Sequence, residues 1–146
     1  MKLRIAWVGK TKETAIQALT AEYVKRIARY NSCETTEAAS ESAILKLLDK
    51  SARTAPVLVA LDPRGKQLSS EQLAEFIRQH LERGTQELVF AIGPADGWSA
   101  EALEAAQVKL SLGPMTLPHE LARVVLAEQV YRAFTILNNH PYHGGH

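Results

Sequence analysis

The chain has a single cysteine, Cys33, among 146 residues. One thiol excludes an intramolecular disulfide, a Cys-x-x-Cys redox pair and a thiolate metal cluster, and a reducing interior suits such a chain. An excess of either charge is also missing, since 17 Lys and Arg stand against 16 Asp and Glu for a net charge of +1. That balance excludes a polyelectrolyte-like nucleic-acid binder and an acidic solvating chain, so any contact with nucleic acid has to come from a local patch. Long apolar runs are absent as well. The opening "MKLRIAWVGK" is interrupted by Lys2 and Arg4 and is too short for a secretory signal, and no later stretch approaches the ~20 residues of a membrane span. These absences predict a soluble, cytoplasmic protein with no membrane partner.

What the chain does have is apolar content, 46% of its residues, enough for one ordinary core and too little length for two. A single domain over 1–146 is expected. Leu3 to Val8 reads as a strand stopped by Gly9, and Ile16, Leu19, Tyr23 and Ile27 recur at helix spacing. A short strand over Cys33 to Glu37 and a helix over "ESAILKLLDK", with Ile44, Leu47 and Leu48 on one face, come next. "PVLVALDPRG" reads as a buried strand ended by a turn. "SSEQLAEFIRQHLERG" follows as a helix, with Ser69 and Gln72 placed for a capping box and Gly84 as its stop. "ELVFAIG" is another apolar strand, Ser99 caps "AEALEAA", "VKLSL" is a last strand, and the closing helix runs from Pro118 to Leu137. Strands alternating with helices, several apolar on both faces, predict an α/β fold with a mostly parallel sheet covered by helices on both faces. Ligands then belong beyond the carboxyl ends of the strands, in the loops that begin at Leu61, Gly93 and Leu112.

The third of these loops, "SLGPMTLPHELAR", is the most unusual. Gly113 can adopt positive φ, Pro114 fixes the next φ, and Pro118 suits the start of a helix, where a missing N–H costs nothing. A stiff, irregular loop of this kind can turn unpaired amides and carbonyls toward a flat heteroaromatic ring, with Leu112, Met115 and Leu117 supplying apolar contact. The same residues also suit a plain rigid connection. In the closing helix, Leu121, Val124, Val125, Leu126, Val130, Phe134, Ile136 and Leu137 surround most of the axis. A second covering surface is required, either neighbouring helices or another copy of the chain in a two-fold homodimer.

Other motifs carry less. "GPADG" lacks the spacing of a dinucleotide fingerprint, and "RGKQ" lacks the earlier glycine and the Ser/Thr of a phosphate loop, which leaves it a turn. His140, His143 and His146 recur every third residue, but Pro141 and the glycines oppose a preformed metal site, and no metal is expected. Lys25, Arg26 and Arg29 form a cationic cluster on the first helix that reads as a solvated face before it reads as a phosphate contact.

Taken together, "LDPRGKQLSSEQLA", "AIGPADGWS" and "KLSLGPMTLPHELARVVLAEQVYRAFTILNNHPYH" resemble the 23S rRNA pseudouridine N3-methyltransferases, the ribosomal RNA large subunit methyltransferase H family of the SPOUT superfamily. The likeness covers most of Val57 to His143. It implies a carboxyl-terminal deep trefoil knot, an obligate homodimer, and S-adenosyl-L-methionine held in the knotted loops by Leu61, Gly93, Pro94, Gly113, Pro114, Met115, Thr116, Leu117 and Pro118. The implied reaction is methylation of N3 of pseudouridine 1915 in 23S rRNA of the assembled 70S ribosome. Alternatives within reach of the same residues are another RNA such as tRNA, or a catalytically silent dimer that binds a nucleotide or the ribosome. Pro94 stands where the family usually has a second glycine, which removes an amide donor there, and Gly144, Gly145 and His146 replace the usual charged ending.

For that reaction the protein has to align nucleophile, methyl and leaving sulfur, exclude water, and help remove a weakly acidic imide proton. The unperturbed histidine pKa of about 6.5 suits proton transfer and makes His143 and His119 candidates, while Tyr142 and Arg123 can stabilise negative charge. The tail pair Tyr142 and His143 is favoured, because a chain end can close over a presented base. His119, in a first helical turn, also fits a buried or capping role.

Overall fold

The computed structural model describes residues 1–48 and 55–144. In chain order the elements are β1 (Lys2–Val8), α1 (Thr14–Ile27), β2 (Cys33–Ala38), α2 (Glu41–Leu45), β3 (Val57–Gln67), α3 (Ser70–Arg83), β4 (Glu87–Ile92), α4 (Ala100–Ala105), β5 (Val108–Ser111) and α5 (His119–Leu137), with a short 3-10 turn at Pro141–Gly144. The five strands form one sheet in the order β2-β1-β4-β3-β5, and every pairing is parallel. Parallel strands need covered crossovers, which puts helices on both faces.

Strand alternation divides the core accordingly. Leu3, Ile5 and Trp7 of β1 point to one face, where they meet Ile27 of α1, Ile77 of α3 and Leu126 of α5. Ala6 of β1 and Val89 and Ala91 of β4 point to the other, against Ile44 of α2 and Ala106 just past α4. Local signals set the helix ends. Ser69 accepts the Gln72 N–H while the Gln72 side chain accepts the Ser69 N–H, and Gly84 closes α3 with φ 78°. Ser99 caps α4 through the Ala102 N–H.

Three sequence expectations are corrected. The segment Asp62 to Gly65, read as a turn, belongs to β3. Leu61 and Lys66 both pair with Leu110, so the chain leaves the β5 ladder for four residues and rejoins it. Gly65 permits the return, since a Cβ there would lie 2.6 Å from the Lys109 backbone. The helix over "ESAILKLLDK" is shorter than its periodicity suggests. After Leu45 the chain tightens into i to i+3 bonds, Leu47 N–H to Ile44 O and Leu48 N–H to Leu45 O. Asp49 and Lys50 lie outside the described residues. Pro118 is the residue before α5 rather than its first turn, and its carbonyl accepts the Ala122 N–H at 3.0 Å.

The apolar circumference of α5 is covered largely within the chain. The helix packs between the sheet, α1 and α3, which buries Val124, Leu126, Val130 and Phe134. Leu121, at the end near the third loop, stays 40% exposed. Among the described residues no helix is long and apolar enough to cross a membrane.

Candidate functional site

Leu61 of β3 lies beside Ile92 at the end of β4 and Leu110 of β5, so the excursion of β3 after Leu61 converges with the loops that follow β4 and β5. Between them is a cleft of about 250 Å³, lined by Leu61, Gly93, Pro94 and the run Leu110 to Leu117, with His119 and Ala122 from the start of α5. Eight of the nine residues expected to hold a cofactor line this cleft, and Pro118 does not.

The third loop is shaped from its own ends. Gly113 takes φ 123°, a conformation costly for any residue with a Cβ. The Ser111 hydroxyl accepts the Gly113 N–H and donates to the Gly113 carbonyl, each at 3.1 Å, which pins the turn. Beyond it, no hydrogen bond among the described residues uses the backbone groups of Met115, Thr116 or Leu117. Those amides and carbonyls remain available beside the cleft, and Met115 is 81% exposed.

One wall was missed in the sequence. Trp98 lines the cleft, and its indole Nε1 donates to the Leu61 carbonyl at 2.9 Å, which joins the first loop to the second. Gly93 packs flat on that ring, where a Cβ would stand 2.6 Å from indole carbons. A tryptophan five residues after the strand-ending glycine was the available signal.

His119 and Arg123 are one turn apart on α5 and form a fixed pair. Arginine only donates, so the 3.1 Å contact from Arg123 Nη2 makes His119 Nδ1 an acceptor. The ring proton then sits on Nε2 and is donated to the Gly93 carbonyl. With both nitrogens in use, His119 anchors the second loop. Arg123 is 1% exposed and turns away from the cleft, donating to Thr11 Oγ1 and, at 3.2 Å, to the Val8 carbonyl, with its guanidinium 5.3 Å from the centre of the Trp7 ring. Burial lowers its pKa against the opposing pull of Glu120 and Glu37. Glu120 ties the same region together by accepting the N–H groups of Glu13 and Lys12, bonds that hold its carboxyl below the ordinary range.

The tail lies elsewhere in its own chain. The Tyr142 hydroxyl donates to Glu128 Oε2 at 2.8 Å, its ring meets Tyr131 edge-on at 4.7 Å, and Arg132 lies over it at 5.0 Å. Burial first, and then the bond to Glu128, raises the Tyr142 pKa, which keeps the phenol protonated. Glu128 is nine residues along α5 from His119, about 13 Å of helix rise. A single chain therefore brings His119 to the cleft and leaves Tyr142 on the flank of α5. His143 lies in the 3-10 turn beyond it. Among the described residues no three His, Cys, Asp or Glu side chains converge on a metal position.

A parallel α/β sheet with a cleft at its carboxyl edge defines the class of open α/β proteins, whose ligand sites lie at that edge. The comparisons are specific within that class. Residues 1–143 match the family described as "Predicted SPOUT methyltransferase". The chain is 62% identical over 146 residues to the ribosomal RNA large subunit methyltransferase H of Koribacter versatilis, covering all of both chains. It is 44% identical to the protein of the same name from Geotalea daltonii, covering 98% of this chain and 99% of that one. In three dimensions it is similar to a probable methylase family protein from Haemophilus influenzae, with TM-score 0.60, 11% identity, and 96% of this chain and 67% of the other covered. It is also similar to the SpoU methyltransferase AviRb of Streptomyces viridochromogenes in complex with its cofactor AdoMet, with TM-score 0.55, 13% identity, and 90% and 57% covered. The chain belongs to the ribosomal RNA large subunit methyltransferase H family of SPOUT methyltransferases.

Proposed function

We propose that this protein transfers the methyl group of S-adenosyl-L-methionine to N3 of a pseudouridine, position 1915, in 23S rRNA of the assembled 70S ribosome. The observation that carries the reading is the row of unpaired backbone groups at Met115, Thr116 and Leu117 beside a cleft whose opposite side is Leu61, Gly93 and Pro94. An adenine edge needs donors and acceptors in one plane, and main-chain groups held by Gly113 and Pro114 offer both without reorganisation. The names of the 62% and 44% identical relatives supply the substrate class.

When bound, the cofactor supplies the electrophilic methyl on its sulfonium. The chain's own residues position and desolvate. Trp98 and Gly93 form a flat wall, and Leu112, Met115 and Leu117 exclude water. Pro94 has no amide, and its carbonyl already accepts the Gly97 N–H at 2.9 Å, so its contribution is shape. His119, with its proton committed to the Gly93 carbonyl, keeps the second loop in place. The imide proton of the target goes to a group outside this set.

That group belongs to a second copy in the proposed homodimer. The Tyr142 side chain is held by Glu128 on the flank of its own α5, whereas the tail of a second copy seated across the exposed Met115 would meet the cleft. There, protonated Tyr142 would donate to the developing imide anion and His143 would accept the proton. The trefoil threading of the final segment and the action of residues 1–146 as a single domain are part of the same proposal.

The test uses purified protein, radiolabelled cofactor and 70S ribosomes from cells lacking the modification, followed by mapping of the label. Transfer to N3 of the single pseudouridine is expected. Label in tRNA, or no label despite cofactor binding, would reject the assignment.

A further inference from the structure

The excursion of β3 carries side chains that the proposed reaction leaves unused. Asp62 and Pro63 line the cofactor cleft, and Arg64, Gly65 and Lys66 follow them along the strand. Lys66 pairs with Leu110, itself a lining residue, and Lys109 precedes Leu110 on β5. Arg64, Lys66 and Lys109 are all exposed. Two residues of strand span about 6.6 Å and paired strands lie about 4.8 Å apart, so the three cations share one small patch beside the cleft.

Little on this edge of the sheet neutralises them. Asp62 is the one acid in β3, and β5 has none. Among the described residues no carboxylate comes within ion-pair distance of Arg64, Lys66 or Lys109, whereas Arg4, Arg26, Arg78 and Arg132 each have one. The backbone holds the patch in place. A Cβ at Gly65 would stand 2.6 Å from the Lys109 carbonyl group, so glycine is what lets β3 return against β5. Irregularities of this kind re-aim side chains next to binding sites.

The whole chain carries a net charge of only +1, so this concentration of charge is local. Three exposed cations strung along a strand edge do not enclose a small anion, and salt screens each one singly. A polyanion differs, because every phosphate neutralised releases condensed counterions. We propose that Arg64, Lys66 and Lys109 contact the phosphate backbone of the substrate rRNA next to the nucleotide that enters the cleft. The inference deepens the proposed action on rRNA and rests on it.

The test reads ribosome binding separately from chemistry. Fluorescently labelled protein with saturating S-adenosylhomocysteine is titrated with 70S ribosomes lacking the modification, at several salt concentrations. The triple variant Arg64→Gln/Lys66→Gln/Lys109→Gln is expected to bind at least tenfold more weakly at about 0.1 M salt, with the slope of log K against log salt flattened by about two. Its affinity for S-adenosylhomocysteine should be unchanged, since none of the three lines the cleft. Lys25→Gln/Arg29→Gln/Arg83→Gln removes the same charge from exposed positions on α1 and α3 and should bind ribosomes like the parent. A photoreactive group on Gln67→Cys, beside Lys66, should cross-link to 23S rRNA. Parent-like binding by the first triple variant, an equal loss in the second, or cross-linking to a ribosomal protein instead of RNA overturns the proposal. Methyl transfer is followed on the same ribosomes, and absence of label from the parent while the first variant still loses binding counts against the proposed reaction alone.

Discussion

Gly93→Ala tests the geometry of the cofactor cleft most sharply. The new methyl would sit 2.6 Å from Cδ2 and Cε2 of Trp98 and 3.0 Å from its Nε1. Ordinary carbon contacts are about 3.5–4.0 Å, so the indole must withdraw by about 1 Å. Its 2.9 Å bond to the Leu61 carbonyl then stretches past hydrogen-bond length. Overpacking of this kind costs about 1–3 kcal/mol and the lost bond about 1 kcal/mol, which for a chain of this size lowers the melting temperature by about 6–12 °C. Because that bond joins two of the segments that line the cleft, affinity for S-adenosylhomocysteine should fall at least tenfold. Gly84→Ala, at the end of α3 and outside the cleft lining, is the control. It has φ 78° but nothing within 4 Å of its Cβ position, so it should show backbone strain of about 1–2 kcal/mol and little change in affinity. Thermal melts and calorimetric titration read both quantities. A Gly93→Ala protein with the melting temperature and affinity of the parent would refute the packing argument.

Arg123→Met leaves the Val8 carbonyl, Thr11 and His119 Nδ1 without their donor, and denaturant melts should show a loss of about 2–4 kcal/mol; unchanged stability would mean that the buried guanidinium holds nothing. The Cys33 thiol is pushed up to about 12 by burial and by Glu34, so at pH 8.5 its alkylation should be at least a hundredfold slower than that of glutathione, and an equal rate would contradict this. That stability contribution is whole below about pH 9 and is lost as pH rises toward 12, because the unfolded thiol ionises first. Burial, and then Arg83, hold the His80 pKa below 6.5, so its contribution is whole above 6.5 and is lost as pH falls from there through the lower folded pKa. Urea midpoints between pH 7 and pH 5 should drop less in His80→Gln than in the parent; parallel curves would remove His80 from the account.

What the sequence disclosed divides by range. The Ser69 and Gln72 capping box, the Gly84 stop and the positive φ of Gly113 are decisions made within a few residues, and each is legible where it stands. The three segments were legible because apolar runs end abruptly at Leu61, Gly93 and Leu112, although the backbone of β3 itself continues to Gln67. The return of β3 at Lys66 was hidden because it depends on β5, more than forty residues later, and on a glycine small enough to lie against Lys109. Arg123 looked like an anion contact on a helix. Its burial on Trp7 and its bond to Thr11 come from a loop 112 residues away in sequence. The apolar circumference of α5 called for a second covering surface, and α1 and α3 provide it, which moves the case for a dimer from that helix to the position of the tail.

The central claim is that the backbone of Met115, Thr116 and Leu117 is kept free for an adenine ring. A crystal structure of the protein with S-adenosylhomocysteine measures this most directly. The account predicts adenine hydrogen-bonded to those main-chain groups, with its far side toward Gly93 and Leu61. Adenine seated elsewhere, or those groups bonded to other parts of the protein in the complex, would contradict it.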